Sequence, residues 1–221
     1  MLSAQLQAVR ARIADAARRA GRLPESIRLI CVTKSVSLAR IQEAVAAGAT
    51  DLGENRVQEA APKITALGHT VRWHMIGHLQ RNKAKAALGL FDYVHSVDAV
   101  ELAQALERYA ASCGRTVPIL VEVNVSREPA KHGVTPDALA PLLTAMRSLG
   151  HLQVRGLMTM APIVARPEAA RPYFRALREL SERFHLPELS MGMSQDFEVA
   201  VEEGATMVRI GSAIFSRRET A

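Results

Sequence analysis

With 221 residues, 48% hydrophobic content and a net charge of +6, the chain has the size and composition of a globular domain with a substantial core. No window approaches the roughly 18 uninterrupted apolar residues of a membrane span, and Gln5, Arg10, Arg12 and Asp15 interrupt the first apolar pattern, unlike a secretory leader; the expectation is a cytoplasmic protein without a membrane partner. Its basic residues are scattered among acids and only 4% of residues are aromatic, so a solvated basic surface is expected in place of a nucleic-acid site, and Cys31 and Cys113 lack disulfide or zinc-type spacing.

In chain order, Leu2, Leu6, Val9 and Ile13 recur at helical spacing and Gly21 supplies a stop, so an amphipathic helix comes first. Next is Arg28-Leu29-Ile30-Cys31-Val32-Thr33-Lys34-Ser35, an apolar, β-prone run with a lysine at its C-terminal end. Short apolar runs at 50–53, 71–76, 93–96, 117–125, 153–158, 189–191 and 207–210 read as further strands. Between them, 37–47, 56–67, 82–88, 99–112, 137–149, 168–184 and 195–203 read as helices. Asp98 with Glu101 forms a capping-box signature, and Thr135 before Pro136 reads as N-cap and first helical position. Eight strands alternating with helices predict a single α/β domain over 1–221, a (β/α)8 TIM-type barrel with an extra N-terminal helix. The competing open, doubly wound sheet lacks a glycine-rich dinucleotide fingerprint after any strand. Two irregular insertions, 126–134 and 160–166, follow strands and so fall on the face where such barrels carry function.

Barrels of this kind bind ligands at the C-terminal ends of their strands, commonly with a phosphate held by the loops after strands seven and eight. Those loops read Met191-Gly192-Met193-Ser194 and Arg209-Ile210-Gly211-Ser212. Small residues admit an anion to backbone N–H groups, Ser194 and Ser212 offer hydroxyls, and Arg209 adds a fixed positive charge. The plainer reading makes each serine a helix N-cap and Arg209 a surface ion pair. Closure makes strand eight the neighbour of strand one, about 4.8 Å away, so Lys34 projects near this anion site. A ligand with a phosphate at one end and an aldehyde at the other spans the gap. Pyridoxal 5′-phosphate is such a ligand, and a desolvated lysine amine forms an imine with its aldehyde. Only five of the 28 basic residues are lysines, and lysine, unlike arginine, can release its proton for that chemistry. Asn55 reads equally as a pocket residue and as an N-cap paired with Gln58; His74 reads as a satisfied core histidine ahead of a pocket group.

Several segments occur in a telling order: Val32-Thr33-Lys34, Gly53-Glu54-Asn55-Arg56-Val57-Gln58-Glu59, Trp73-His74-Met75-Ile76-Gly77-His78-Leu79-Gln80-Arg81-Asn82-Lys83, Val94-His95-Ser96-Val97-Asp98, Val123-Asn124-Val125, Gly156-Leu157-Met158-Thr159-Met160 and the two phosphate loops. Over nearly its full length the chain thereby resembles the pyridoxal phosphate homeostasis protein family. The resemblance implies a monomeric barrel similar to the amino-terminal domain of alanine racemase, with the cofactor joined to Lys34 as an internal aldimine. It also implies that Ser194, Gly211 and Ser212 hold the phosphate, that Arg209 lies near the pyridine nitrogen, and that Asn55 belongs to the pocket. Many relatives carry threonine where Ser212 stands; the hydroxyl is kept.

The implied role is regulation of pyridoxal phosphate supply, with apo-enzymes that use the cofactor as recipients. The alternative is an amino-acid racemase-like enzyme. Racemisation needs a base on each face of the imine, yet Tyr93 begins its strand and so sits at the wrong end, while Tyr109 and Tyr173 fall within predicted helices. The sequence therefore favours a carrier over a catalyst.

Overall fold

Eight parallel strands pair in sequence order and close on themselves, β1 against β8. They are β1 (Arg28–Val32), β2 (Asp51–Glu54), β3 (Arg72–Met75), β4 (Tyr93–Val97), β5 (Val117–Glu122), β6 (Leu152–Met158), β7 (Glu188–Ser190) and β8 (Met207–Ile210). Helix α1 (Leu2–Arg19) precedes β1, and α2 (Leu38–Ala46), α3 (Val57–Leu67), α4 (Ala84–Leu88), α5 (Val100–Ser112), α6 (Pro136–Met146), α7 (Arg171–Phe184), α8 (Phe197–Glu202) and α9 (Ser212–Phe215) follow the successive strands. This computed structural model describes residues 2–216, so the ends of the expected 1–221 span lie outside the described residues. The architecture is the (β/α)8 barrel with an added N-terminal helix that the apolar periodicity predicts.

Alternation along each strand sorts side chains into two layers. Outward-facing Leu52, Trp73, Met75, Val94, Ile119 and Val121 pack under the helices in one continuous apolar layer. Inward-facing Ile30, Tyr93, Leu120, Met158 and Met207 form a second, smaller cluster across the middle of the barrel. Each fully buried side chain of this size contributes about 1.5–3 kcal/mol. Between β6 and β7 the backbones come so close that a Cβ on Gly156 would lie 1.8 Å from the Glu188 carbonyl oxygen, so only glycine serves there.

α1 buries Leu2, Leu6, Val9, Ile13, Ala16 and Ala17, the face read from its spacing. It lies outside the barrel against α8 and α9, with Arg12 2.7 Å from Glu198 and 4.6 Å above the Phe197 ring. Gly21 and Gly48, both at positive φ, follow α1 and α2 where the sequence placed helix stops. Pro136 opens α6 after Thr135, as expected, although the threonine side chain makes no capping hydrogen bond. The Asp98–Glu101 capping box does not form: the N-cap of α5 is Ala99, and the Asp98 carboxylate instead accepts the Gly133 N–H at 3.4 Å from the loop after β5. Among the described residues no helix is long and apolar enough to cross a membrane, and both cysteines are free, Cys31 buried and Cys113 exposed.

Candidate functional site

β1 ends at Val32, and the chain turns through Thr33, Lys34 and Ser35, the last in the left-handed region at φ 58°. Neighbouring side chains clamp this turn on both sides of the lysine. Thr33 donates to Glu54 Oε1 at 2.6 Å, Lys63 Nζ donates to the Thr33 carbonyl at 2.8 Å, and the Ser35 N–H donates to Glu59. Lys63 Nζ also lies 2.7 Å from Glu54 Oε1 and 3.0 Å from Glu59 Oε1, so one lysine is spent holding the loop that presents the other. Burial pushes the Glu54 carboxyl up against the pull of Lys63 and Thr33, while the Ser35 N–H and Lys63 hold Glu59 down. Lys34 itself is exposed, where the sequence led to the expectation of a desolvated amine; it stands two residues beyond Val32, the last residue of β1.

A cavity of about 890 Å³ opens at this C-terminal end of the barrel, within the size range of small-molecule sites. Lys34, Asn55, Ser194, Arg209, Gly211 and Ser212 all line it, so the structure brings together every site residue singled out in the sequence. Asn55 is not the N-cap of α3, which is Arg56; it stands at the wall, where a Cβ on Gly77 would meet its backbone oxygen at 2.5 Å. The loops after β7 and β8 are stitched together, Ala213 N–H donating to Ser194 Oγ at 3.3 Å and Arg209 N–H to the Gly192 carbonyl at 3.0 Å. A Cβ on Gly211 would lie 3.3 Å from Val32 Cβ, which sets the second loop close against the end of β1. The insertion after β6 adds an apolar wall through Met160, Pro162, Ile163 and Val164, with Ile163 95% exposed.

Arg209 is buried, not part of a surface ion pair. Its guanidinium donates to Ser190 Oγ at 2.7 Å and to the Thr159 carbonyl at 3.0 Å. Burial draws it down to about 10, opposed by Glu122 and Asp196, which leaves it charged at neutral pH. From Ser190 a row of contacts crosses the barrel interior: His95 Nδ1 at 2.9 Å from Ser190 Oγ, His74 Nδ1 at 2.9 Å from His95 Nε2, and Asp51 Oδ1 at 3.0 Å from His74 Nε2. Burial lowers both histidines, so both are neutral. Burial raises Asp51, but hydrogen bonds from His74 and Thr50 outweigh it and keep the carboxylate ionised. One proton assignment then satisfies every contact: Arg209 donates to Ser190, Ser190 to His95, His95 through Nε2 to His74, and His74 through Nε2 to Asp51. The arginine at the cavity is thus the head of a one-way row that ends in an anion at the opposite end of the barrel. His74 is the core histidine that the sequence favoured; its partners were not visible there.

Two carboxyls near the cavity also escaped the sequence reading. Burial, reinforced by Asp98, pushes Glu122 up to about 7 despite Arg209, and its Oε2 has no partner. Asp196 lines the cavity and accepts the Met193 N–H at 2.6 Å; burial raises it against that bond. The insertion at 160–166 was the available signal for the apolar wall, but nothing local marks Glu122 or Ser190, whose roles depend on strand neighbours far away in sequence. Tyr93 turns its hydroxyl to Glu188, away from any role at the cavity, and Tyr109 and Tyr173 lie in α5 and α7.

The family model for the alanine racemase N-terminal domain matches residues 4–219. A pyridoxal phosphate homeostasis protein from Aquifex aeolicus is 43% identical over 97% of this chain and 97% of its own length. One from Pseudomonas aeruginosa is 42% identical over 96% of this chain and 93% of its own. The structure of PipY from Synechococcus elongatus PCC7942 with PLP bound is similar at a TM-score of 0.85 and 38% identity, covering 98% of this chain and 100% of that one.

Proposed function

The chain belongs to the pyridoxal phosphate homeostasis protein family, and we propose that it binds pyridoxal 5′-phosphate in the cavity at the barrel's C-terminal end, covalently through Lys34 Nζ, as a carrier that takes part in supplying the cofactor. The observation that carries the reading is the meeting of an exposed amine, two serine hydroxyl loops and a buried guanidinium on one cavity wall. That donor set fits the group. Bound there, the cofactor supplies an aldehyde that condenses reversibly with a primary amine and releases water.

The residues divide the work. Lys34 presents Nζ from a turn fixed by Glu54, Glu59 and Lys63. Ser194, Gly211 and Ser212 offer hydroxyls and uncrowded backbone to a phosphate, on loops held together by the Ala213 to Ser194 bond. Arg209, held in place through Ser190 and Thr159, would present a fixed positive charge that disfavours protonation of a neighbouring ring nitrogen. With such a ring left unprotonated, the site would suit holding the cofactor better than reacting through it. Asn55 completes the wall beside Lys34. Among the described residues the wall carries no tyrosine or histidine to serve as a second base, and its one carboxylate, Asp196, is tied to Met193.

Borohydride reduction of protein loaded with pyridoxal phosphate, followed by peptide mapping, tests the assignment. One adduct per chain is expected on Lys34, abolished in Lys34→Ala; the same adduct yield in that variant would sink it. Incubation with single-enantiomer amino acids in deuterated water tests the carrier role, and Cα exchange at ordinary enzymatic rates would replace it with the racemase-like reading.

A further inference from the structure

We propose that His78, Asp98 and His132 form a binding site for one divalent transition-metal ion with zinc-like preferences. His78 lies in the loop after β3, Asp98 directly after β4 and His132 in the loop after β5, so three successive strands deliver them to the same end of the barrel as the cavity. The two imidazoles lie parallel, their centroids 3.9 Å apart and their planes 10° apart. One nitrogen from each and one Asp98 oxygen all lie within 4.8 Å of one another. A first-row ion stands about 2.0–2.2 Å from such ligands, so the ligands of one tetrahedral ion lie roughly 3.4 Å apart, and the 3.7 Å between His78 Nδ1 and Asp98 Oδ2 is already near that spacing. Rotation of the two exposed histidines about their own side-chain torsions turns the rings out of their stack, so that both in-plane lone pairs face one ion beside Asp98.

The ring stack holds the two histidines together but leaves the Asp98 carboxylate without a close histidine hydrogen bond. Asp98 Oδ2 stands 3.7 Å from His78 Nδ1, too far for a good hydrogen bond, while the Gly133 N–H reaches the same oxygen at 3.4 Å and orients the carboxylate. Lys131, next to His132, is turned to Glu128 at 3.1 Å and leaves the carboxylate to the histidines. Two imidazoles with one carboxylate select zinc, cobalt, nickel or copper over magnesium and calcium, which require oxygen ligands. Three protein ligands leave a coordination position open to water or to a donor atom from outside.

Titration of the untagged full chain with Zn²⁺ and Co²⁺, followed by calorimetry and by the visible absorption of bound Co²⁺, is the test. One tight equivalent is expected, insensitive to excess Mg²⁺. His78→Ala, His132→Ala and Asp98→Asn should each weaken it roughly tenfold or more with an unchanged melting temperature, and with Lys34 still modified by pyridoxal phosphate and borohydride. Zinc uptake by the His78→Ala/His132→Ala protein equal to that of the unaltered chain, or displacement by Mg²⁺, would overturn the proposal.

Discussion

The turn that carries Lys34 and the ion cluster that braces it show the same residue type put to opposite uses. Lys63 sits among Thr33, Glu54 and Glu59, every donor direction engaged, and only its position matters. Lys34, a few ångströms of backbone away, is exposed on the cavity wall; the ion pairs made by lysines in the described residues involve Lys63 and Lys131, not Lys34. The fold thus surrounds one lysine with acids and leaves the other without an ion pair among the described residues.

The largest expected effect breaks the bracing side of this contrast. Lys63→Ala leaves Glu54 buried without its cation, at a cost of about 3–5 kcal/mol in urea denaturation. A loss below about 1 kcal/mol would place Lys63 with ordinary surface pairs and erase the distinction. Next comes Glu122, a buried carboxyl with no lysine to balance it. Raised from 4.5 to about 7 in the folded chain, it binds its proton more tightly folded than unfolded, so folded stability is lost as pH rises through that window. Glu122→Gln should therefore gain about 3 kcal/mol at pH 8 and nothing at pH 4, measured by denaturation at both values. A gain that did not change with pH would mean that packing, not charge, sets the effect. The smallest effect concerns Arg209, a cation held by neutral partners. Ser190→Ala leaves His95 Nδ1 and one arginine N–H unpaired, which costs about 1–2 kcal/mol by the same measurement.

The sequence revealed the frame because the frame is local. Eight apolar runs, a helical repeat of Leu2, Leu6, Val9 and Ile13, and stops at Gly21 and Gly48 each depend on neighbours a few residues away. The cavity was legible for a related reason: in a closed barrel, strand order alone makes Lys34 and the loops of Ser194 and Gly211 neighbours. What escaped depends on register between distant strands. His74, His95, Ser190 and Arg209 alternate inward on four different strands, and nothing in any one strand reveals that their polar atoms meet. Asp98 shows how a local rule fails. Its spacing to Glu101 is that of a capping box, but Gly133, 35 residues on, claims the carboxylate. Lys34 was placed correctly and its environment misjudged, because the length of the turn beyond Val32 decides exposure and an apolar run does not disclose where its last pairing ends.

Ile30, Tyr93, Leu120, Met158 and Met207 fill the middle of the barrel, none more than 4% exposed. The cavity above them is a blind alley: whatever enters at the rim leaves at the rim. For the proposed carrier, loading and delivery become rival uses of a single doorway. A recipient enzyme either takes cofactor already released into solution or seats itself over the same opening, and while it sits there no new cofactor can come in.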